Sequence, residues 1–345
     1  MLSFLNDYSE GAAQPVLDAL VRTNFDQTCG YGLDPHCENA RALIRSAVGS
    51  ESANVHFLVG GTQVNTTLIA AALRPHQGAV AAETGHIACH ESGAIESTGH
   101  KVITFPTDDG KITADQIDAL CAAHYADPTA EHQVQPGLVY ISLPTETGML
   151  YSREELRRIS EVCRKYRMYL YVDGARLGCA LTAEGNDVTL PDLAAYADAF
   201  TIGGTKNGIL FGEALIITDE ALNRDFRYIL KQRGGMLAKG RLLGIQFEAL
   251  FTDDLYFALA RHANAEAKRI REALSRHGVP FLAVNPTNQT FPILNRTIAN
   301  ALAKEVAFEE WKQIDADTVA VRFCTSWATK PEDVTALIAL FDQLL

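Results

Sequence analysis

The sequence predicts an α/β protein: a large unit built on a mainly parallel sheet with helices on both faces, then a smaller α+β unit. Two observations predict it. Between Val55 and Thr218, short apolar runs alternate with amphipathic segments of helical length, the signature of parallel strands joined by crossover helices. After about residue 240 the alternation stops, and a long helical stretch is followed by short strands and a last helix. The length of 345 residues suits a large domain with a smaller one, and the change of pattern divides them at 1–245 and 246–345.

The elements follow in order. Pro15 opens an amphipathic stretch through Leu17, Leu20 and Phe25, and Gly30-Tyr31-Gly32-Leu33-Asp34-Pro35 is a turn before a second helix through Ala40, Ile44 and Ala47. Val55–Val59 is a buried strand running into Gly60-Gly61-Thr62 and an apolar helix. Strands are expected at 78–82, 101–105, 138–143, 168–172, 199–203 and 214–218. Thr113 caps one helix, and Ser152 with Glu155 forms a capping box ahead of another. In the smaller unit, Leu242–Arg276 is helical, Phe281–Ala283 and Val319–Phe323 are strands, and a final helix starts at Pro331.

Composition narrows the class. A net charge of −12 argues against nucleic acid as a general partner, because phosphate contacts need clustered Lys and Arg. No apolar run is long enough to span a bilayer, and Met1–Asp7 lacks a basic region followed by an apolar stretch, so neither membrane nor signal peptide is expected. The seven cysteines are scattered without a CxxC. That pattern fits reduced thiols and a cytoplasmic location.

In open α/β sheets, ligands gather beyond the carboxyl ends of strands. Three of these ends are polar and Gly-rich. Gly60-Gly61-Thr62 can cradle an anion at a helix N-terminus, although it is neither GxGxxG nor a Walker loop, and a plain turn and cap would read the same. Asp173-Gly174-Ala175-Arg176 places a carboxylate and a guanidinium after a strongly apolar strand. An Asp there can keep a pyridine nitrogen protonated, and Arg176 can hold a carboxylate bidentately. Lys206, between Gly203-Gly204 and Gly208, is placed for a confined site, where desolvation makes an amine nucleophilic. A ring-nitrogen partner and a lysine on neighbouring strand ends are what a pyridoxal-phosphate (PLP) site requires.

Several further segments then carry a resemblance. Asn6-Asp7-Tyr8-Ser9, Tyr31-Gly32-Leu33-Asp34-Pro35, Gly60-Gly61-Thr62, Gly85-His86-Ile87, Asp173-Gly174-Ala175-Arg176-Leu177, Gly203-Gly204-Thr205-Lys206-Asn207-Gly208 and Val321-Arg322-Phe323 occur in order over nearly the whole chain. Together they resemble the low-specificity threonine aldolases and the wider β-eliminating lyases, which have the aspartate-aminotransferase-like fold (fold type I). The resemblance implies a PLP-binding large domain, and a lyase that cleaves the Cα–Cβ bond of β-hydroxy-α-amino acids to glycine and an aldehyde. It also implies the residue roles. Lys206 holds PLP as a Schiff base, Asp173 faces the ring nitrogen, His86 stacks on the ring, and Gly61 and Thr62 hold the phosphate. Arg176 borders both cofactor and substrate. Arg176, Arg322 and Ser9 bind the amino-acid carboxylate, and Tyr31 lies near the site, reaching a partner's cofactor. A homodimer or homotetramer with shared sites follows.

The chain departs from the family twice. Thr145-Glu146-Thr147-Gly148 stands where the family has Thr-His-Asn-Gly, so Glu146, His86 or an ordered water becomes the candidate base for the β-hydroxyl. Arg233-Gly234-Gly235-Met236-Leu237 lacks the family's Arg after Met, leaving Lys231, Arg233 or Lys239 as substitutes at the phosphate. His86 and His90 are spaced like metal ligands on a helix, but no third ligand accompanies them, and no metal is expected. The alternatives are β-elimination from cysteine- or serine-type amino acids, with Lys206 as base, and a non-catalytic member of the fold. A nicotinamide-dependent oxidoreductase lacks its GxGxxG.

Overall fold

The computed structural model describes residues 1–345. Its centre is a seven-stranded sheet: β1 (Asn54–Leu58), β2 (Gln77–Ala82), β3 (Val102–Phe105), β4 (Gln135–Ser142), β5 (Tyr169–Asp173), β6 (Ala199–Gly203) and β7 (Glu213–Ile217). The order across the sheet is β1-β7-β6-β5-β4-β2-β3. The run from β3 to β6 is parallel, while β7 lies antiparallel between β6 and β1. The expected strands are thus all present. The alternating pattern could not give the antiparallel edge, since β6 and β7 are joined by a loop too short for a crossover helix.

Because both faces of the sheet are covered, successive side chains enter different cores. Val139 and Ile141 join the cluster that contains Ile44, Phe200 and Phe247, while Leu138 and Tyr140 join the one that contains Leu68, Tyr171 and Phe226. Ser152 and Thr113 each close a capping box with Glu155 and Gln116.

The second sheet contains β8 (Phe281–Ala283), β9 (Gln289–Asn295), β10 (Glu309–Gln313) and β11 (Thr318–Cys324), in the order β10-β11-β9-β8. It packs with the helices Leu255–Arg276 and Pro331–Leu344 around Phe323 and Phe341. The expected helical stretch is two helices, Arg241–Leu250 and Leu255–Arg276. Strand β9 escapes the sequence pattern because Pro292 interrupts it; the ladder tolerates the proline at a register shift between Phe291 and Pro292. Leu2–Ser3 pair in parallel with Val306–Ala307, tying the start of the chain to its C-terminal portion. No helix is long and apolar enough to cross a membrane.

What positions the site is a crossing of two loops at the carboxyl edge of the sheet. Gly203 N–H donates to the Gly174 carbonyl at 3.0 Å, and Gly174 N–H donates to Thr201 Oγ1 at 2.7 Å. A Cβ on Gly174 would lie 2.1 Å from the Thr201 carbonyl oxygen, and one on Gly203 would lie 2.3 Å from that of Ala175. Only glycine allows this approach, which brings the Asp173 and Lys206 loops together. Gly174→Ala is therefore expected to lose about 3 kcal/mol of stability, read from the midpoint of urea unfolding. An unchanged midpoint would show that the crossing can relax.

Candidate active site

A cavity of about 490 Å³ opens at the carboxyl edge of the large sheet. The register writes its floor across the strands. Ser142 pairs with Asp173, Gly203 with Glu213, and Glu213 with Leu58, the last strand residue before Gly60-Gly61-Thr62. Gly61, Thr62, His86, Glu146, Asp173, Arg176, Lys206 and Arg322 all line the cavity. Ser9 and Tyr31 do not. Ser9 is exposed and bonds Asn6, with Tyr8 lining the cavity in its place. Tyr31 faces solvent elsewhere, its ring 4.8 Å from Lys231 Nζ.

One end of the cavity is an anion cradle. The helix Gly61–Ala72 begins at Gly60 with no side-chain cap, so its first N–H groups are free. A Cβ added at Gly60 or Gly61 would meet nothing within 4 Å, which leaves the cradle open to a ligand. Gln63 donates to the Arg233 carbonyl at 3.4 Å, so the loop carrying Arg233 lies beside the cradle.

At the other end Asp173 is held by several donors. Tyr140 Oη lies 2.7 Å and Asn65 Nδ2 3.3 Å from Oδ2, while Ala175 N–H donates to Oδ1 at 2.9 Å. The network reaches His86. Asn65 Nδ2 and His86 Nδ1 both bond Glu91 Oε1, at 2.7 and 2.8 Å, and Tyr171 donates to Asn65 Oδ1 at 2.7 Å. The bond to Glu91 assigns the His86 proton to Nδ1 and fixes the ring plane. Glu146 Oε1 accepts from Ser142 Oγ at 2.6 Å and from the His86 N–H at 2.9 Å. Burial raises the proton affinity of Glu146, with Asp173 adding repulsion, while its donors oppose the rise.

Between the two ends stands Lys206. Burial lowers its proton affinity and the charge of Arg176 lowers it further, against the pull of Asp7, Glu213 and Asp173. Glu213 is the matching acid: burial pushes it up to about 8 despite Lys206, and its Oε2 has no hydrogen-bond partner. Asp7 lies under Arg176, accepting from Nε at 2.6 Å and Nη2 at 3.0 Å.

The β-eliminating lyase family model matches residues 4–297. The chain belongs to the β-eliminating lyase family. It is 29% identical to the low-specificity L-threonine aldolase of Pseudomonas aeruginosa over 338 residues, covering 97% of this chain and 95% of that one. It also superimposes on a threonine aldolase of Leishmania major with a TM-score of 0.96 and 42% identity, each chain covered in full. The aspartate aminotransferase of Thermus thermophilus, at 16% identity and a TM-score of 0.71 over 100% of this chain and 92% of that one, shares the fold.

Threonine aldolases and aminotransferase-like members of this fold depend on PLP, and the cavity fits it. The uncapped cradle suits a phosphate, the confined Lys206 amine an aldehyde carbon, and the multiply bonded Asp173 a ring nitrogen. The sequence reading did not single out Glu213, Asn65, Glu91, Ser142, Asp7, Tyr8, Glu309 or Trp311 as site residues. Glu213 alone had a local signal, as an acid at the start of the apolar run Ala214–Ile217.

Burial alone would raise the Asp7 carboxyl. Arg176, Lys206 and Asn288 nevertheless hold it near 2, below its ordinary 3.8. A depressed carboxylate contributes stability that is complete above the ordinary value and is lost as pH falls through the folded one. Asp7→Asn is thus expected to lose ~2.5 kcal/mol near pH 7. The difference from wild type in urea unfolding should shrink between about pH 4 and 2. A pH-independent difference would show that Asp7 acts by shape and not by charge.

Proposed function

We propose that this protein is a PLP-dependent aldolase that cleaves β-hydroxy-α-amino acids of the L-threonine type to glycine and an aldehyde. The observation that carries the reading is the placement of a confined lysine between an anion cradle and a hydrogen-bonded aspartate, in a chain similar throughout to named threonine aldolases.

Bound PLP supplies an electrophilic carbonyl carbon and a ring that accepts an electron pair. This chain's residues do the rest. Lys206 would hold the cofactor through its amine, whose lowered proton affinity favours the nucleophilic neutral form. Gly61 and Thr62 hold the phosphate from the helix N-terminus, with Arg233 beside them. Asp173 keeps the ring nitrogen protonated, and His86 covers the ring, steadied by Glu91.

Arg322 fixes the substrate carboxylate, and Arg176 adds positive charge nearby. A fixed carboxylate would hold the substrate in one orientation, and so would set which bond at Cα is presented for cleavage. Glu146 takes the β-hydroxyl proton as that bond breaks. It is partly buried, its proton affinity is raised, and Ser142 and the His86 N–H orient it. A homodimer or homotetramer is proposed as well: Phe25, Leu33, Tyr31 and Tyr228 are exposed large side chains on the single chain, suited to contact with a second copy. A cytoplasmic setting fits the seven unpaired cysteines.

Purified protein should carry a yellow chromophore, and L-threonine should yield glycine and acetaldehyde. Lys206→Ala should abolish both. Pyruvate and ammonia from serine or cysteine, without glycine from threonine, would assign β-elimination instead. Colourless protein that cannot be reconstituted with PLP would end the reading. Glu146→Gln is expected to lower kcat for L-threonine about a hundredfold, with a smaller change in KM. Unchanged turnover would move the base to His86 or water.

A further inference from the structure

Arg322, the guanidinium on which the function above places the substrate carboxylate, already holds a carboxylate of the protein's own. The antiparallel register of β10 and β11 sets Glu309 opposite Arg322, and Glu309 Oε2 pairs with Nη2. That nitrogen also donates to the Leu5 carbonyl at 3.1 Å, and Nη1 donates to Gln289 Oε1 at 3.2 Å. The Trp311 ring covers the guanidinium at 5.3 Å. Arg322 Nε is buried and has no partner. Glu309, Trp311 and His90 all line the catalytic cavity.

The contrast with Arg176 is informative. There Asp7 takes both Nε and Nη2, the side-on edge of the guanidinium, and its side chain is only 1% exposed. On Arg322 the same edge is half filled: Glu309 takes Nη2 alone, and its side chain is 42% exposed. A bidentate carboxylate binds a guanidinium better than a single contact does, and a partly exposed ion pair is weak. A substrate carboxylate that engages Nε and Nη2 together can therefore replace Glu309, which lines the cavity and is partly exposed.

We propose that Glu309 is a displaceable stand-in for the substrate's α-carboxylate. It keeps Arg322 paired and oriented in the free enzyme, and yields the Nε–Nη2 edge when an amino acid enters. Only an amine that brings a carboxylate of its own displaces Glu309 and restores the pairing of the arginine, so the competition falls on such amines alone. The inference rests on Arg322 as carboxylate anchor, and the test separates the two.

Glycine and ethanolamine, amines with and without a carboxylate, are titrated into the PLP-loaded enzyme while the absorbance of the bound cofactor is followed. Removing the competitor in Glu309→Gln should tighten glycine about fivefold and leave ethanolamine where it was. Glu309→Ala should do the same. Glycine binding that weakens or stays unchanged, or both amines tightening alike, would overturn the stand-in role. Arg322→Lys should weaken glycine roughly tenfold or more and spare ethanolamine. If Arg322→Lys leaves glycine unaffected, the anchor itself is misassigned and the inference falls with it.

Discussion

The crossing of the 173–176 and 203–206 loops is the constraint on which the site depends. Parallel strands deliver functional groups to one edge of a sheet but hold adjacent strand ends nearly 5 Å apart. To wall a single cavity, the loops beyond those ends must turn toward each other. Gly174 and Gly203 permit this because each backbone occupies the space a neighbour's Cβ would need. The bond from Gly203 N–H to the Gly174 carbonyl locks the approach, so Asp173, Arg176 and Lys206 acquire fixed relative positions from backbone geometry and not from their own flexible side chains.

Gathering cations there has an electrostatic cost, which the structure meets with carboxylates of graded accessibility. Asp7 is sealed against Arg176, Glu213 is buried near Lys206, and Glu309 reaches Arg322 from a half-exposed strand. The grading follows the use of each cation. Arg176 is held permanently by a carboxylate depressed to about 2. In the proposed reaction Lys206 acts as a free amine, and burial together with the charge of Arg176 lowers its proton affinity against the pull of Glu213. Arg322, proposed to exchange partners when substrate binds, has the accessible carboxylate.

The parts of this arrangement that follow a strand or open a helix could be read from the sequence: Gly60-Gly61-Thr62, Asp173 with Arg176, and Lys206. Each lies beside an apolar run that predicts its strand, so local pattern and position suffice. The carboxylate partners could not be read in this way. Asp7 meets Arg176 across 169 positions, and Glu309 meets Arg322 through the antiparallel register of β10 with β11, where the charged run Glu309–Gln313 carries no apolar strand pattern. Asn65 sits on a helix and Glu91 on the bend after a one-turn helix, where nothing local separates a buried polar side chain from a solvated one until the sheet is placed beneath them. Ser9 shows the converse: its place in the chain suggested the site, but its neighbour Tyr8 borders the cavity instead.

The proposed role of Glu146 gains its meaning from the hydrogen-bonded groups beneath it. Ser142 has one proton to donate and two acceptors within reach, Glu146 Oε1 at 2.6 Å and Tyr140 Oη at 3.3 Å. While Glu146 is a carboxylate, Ser142 serves it. Once Glu146 has taken a proton it can donate to Ser142. Ser142 is then free to donate to Tyr140, whose own proton goes to Asp173 at 2.7 Å. Proton uptake at the base thus completes a chain of donors that ends on Asp173. The negative charge of Asp173 in turn raises the proton affinity of Glu146, adding to the larger effect of burial. In the proposed reaction, the group that would remove a hydroxyl proton and the group that would keep a ring nitrogen protonated are therefore coupled in the same sense. A carboxyl at position 146 suits that role because it can both accept a proton and pass a hydrogen bond inward.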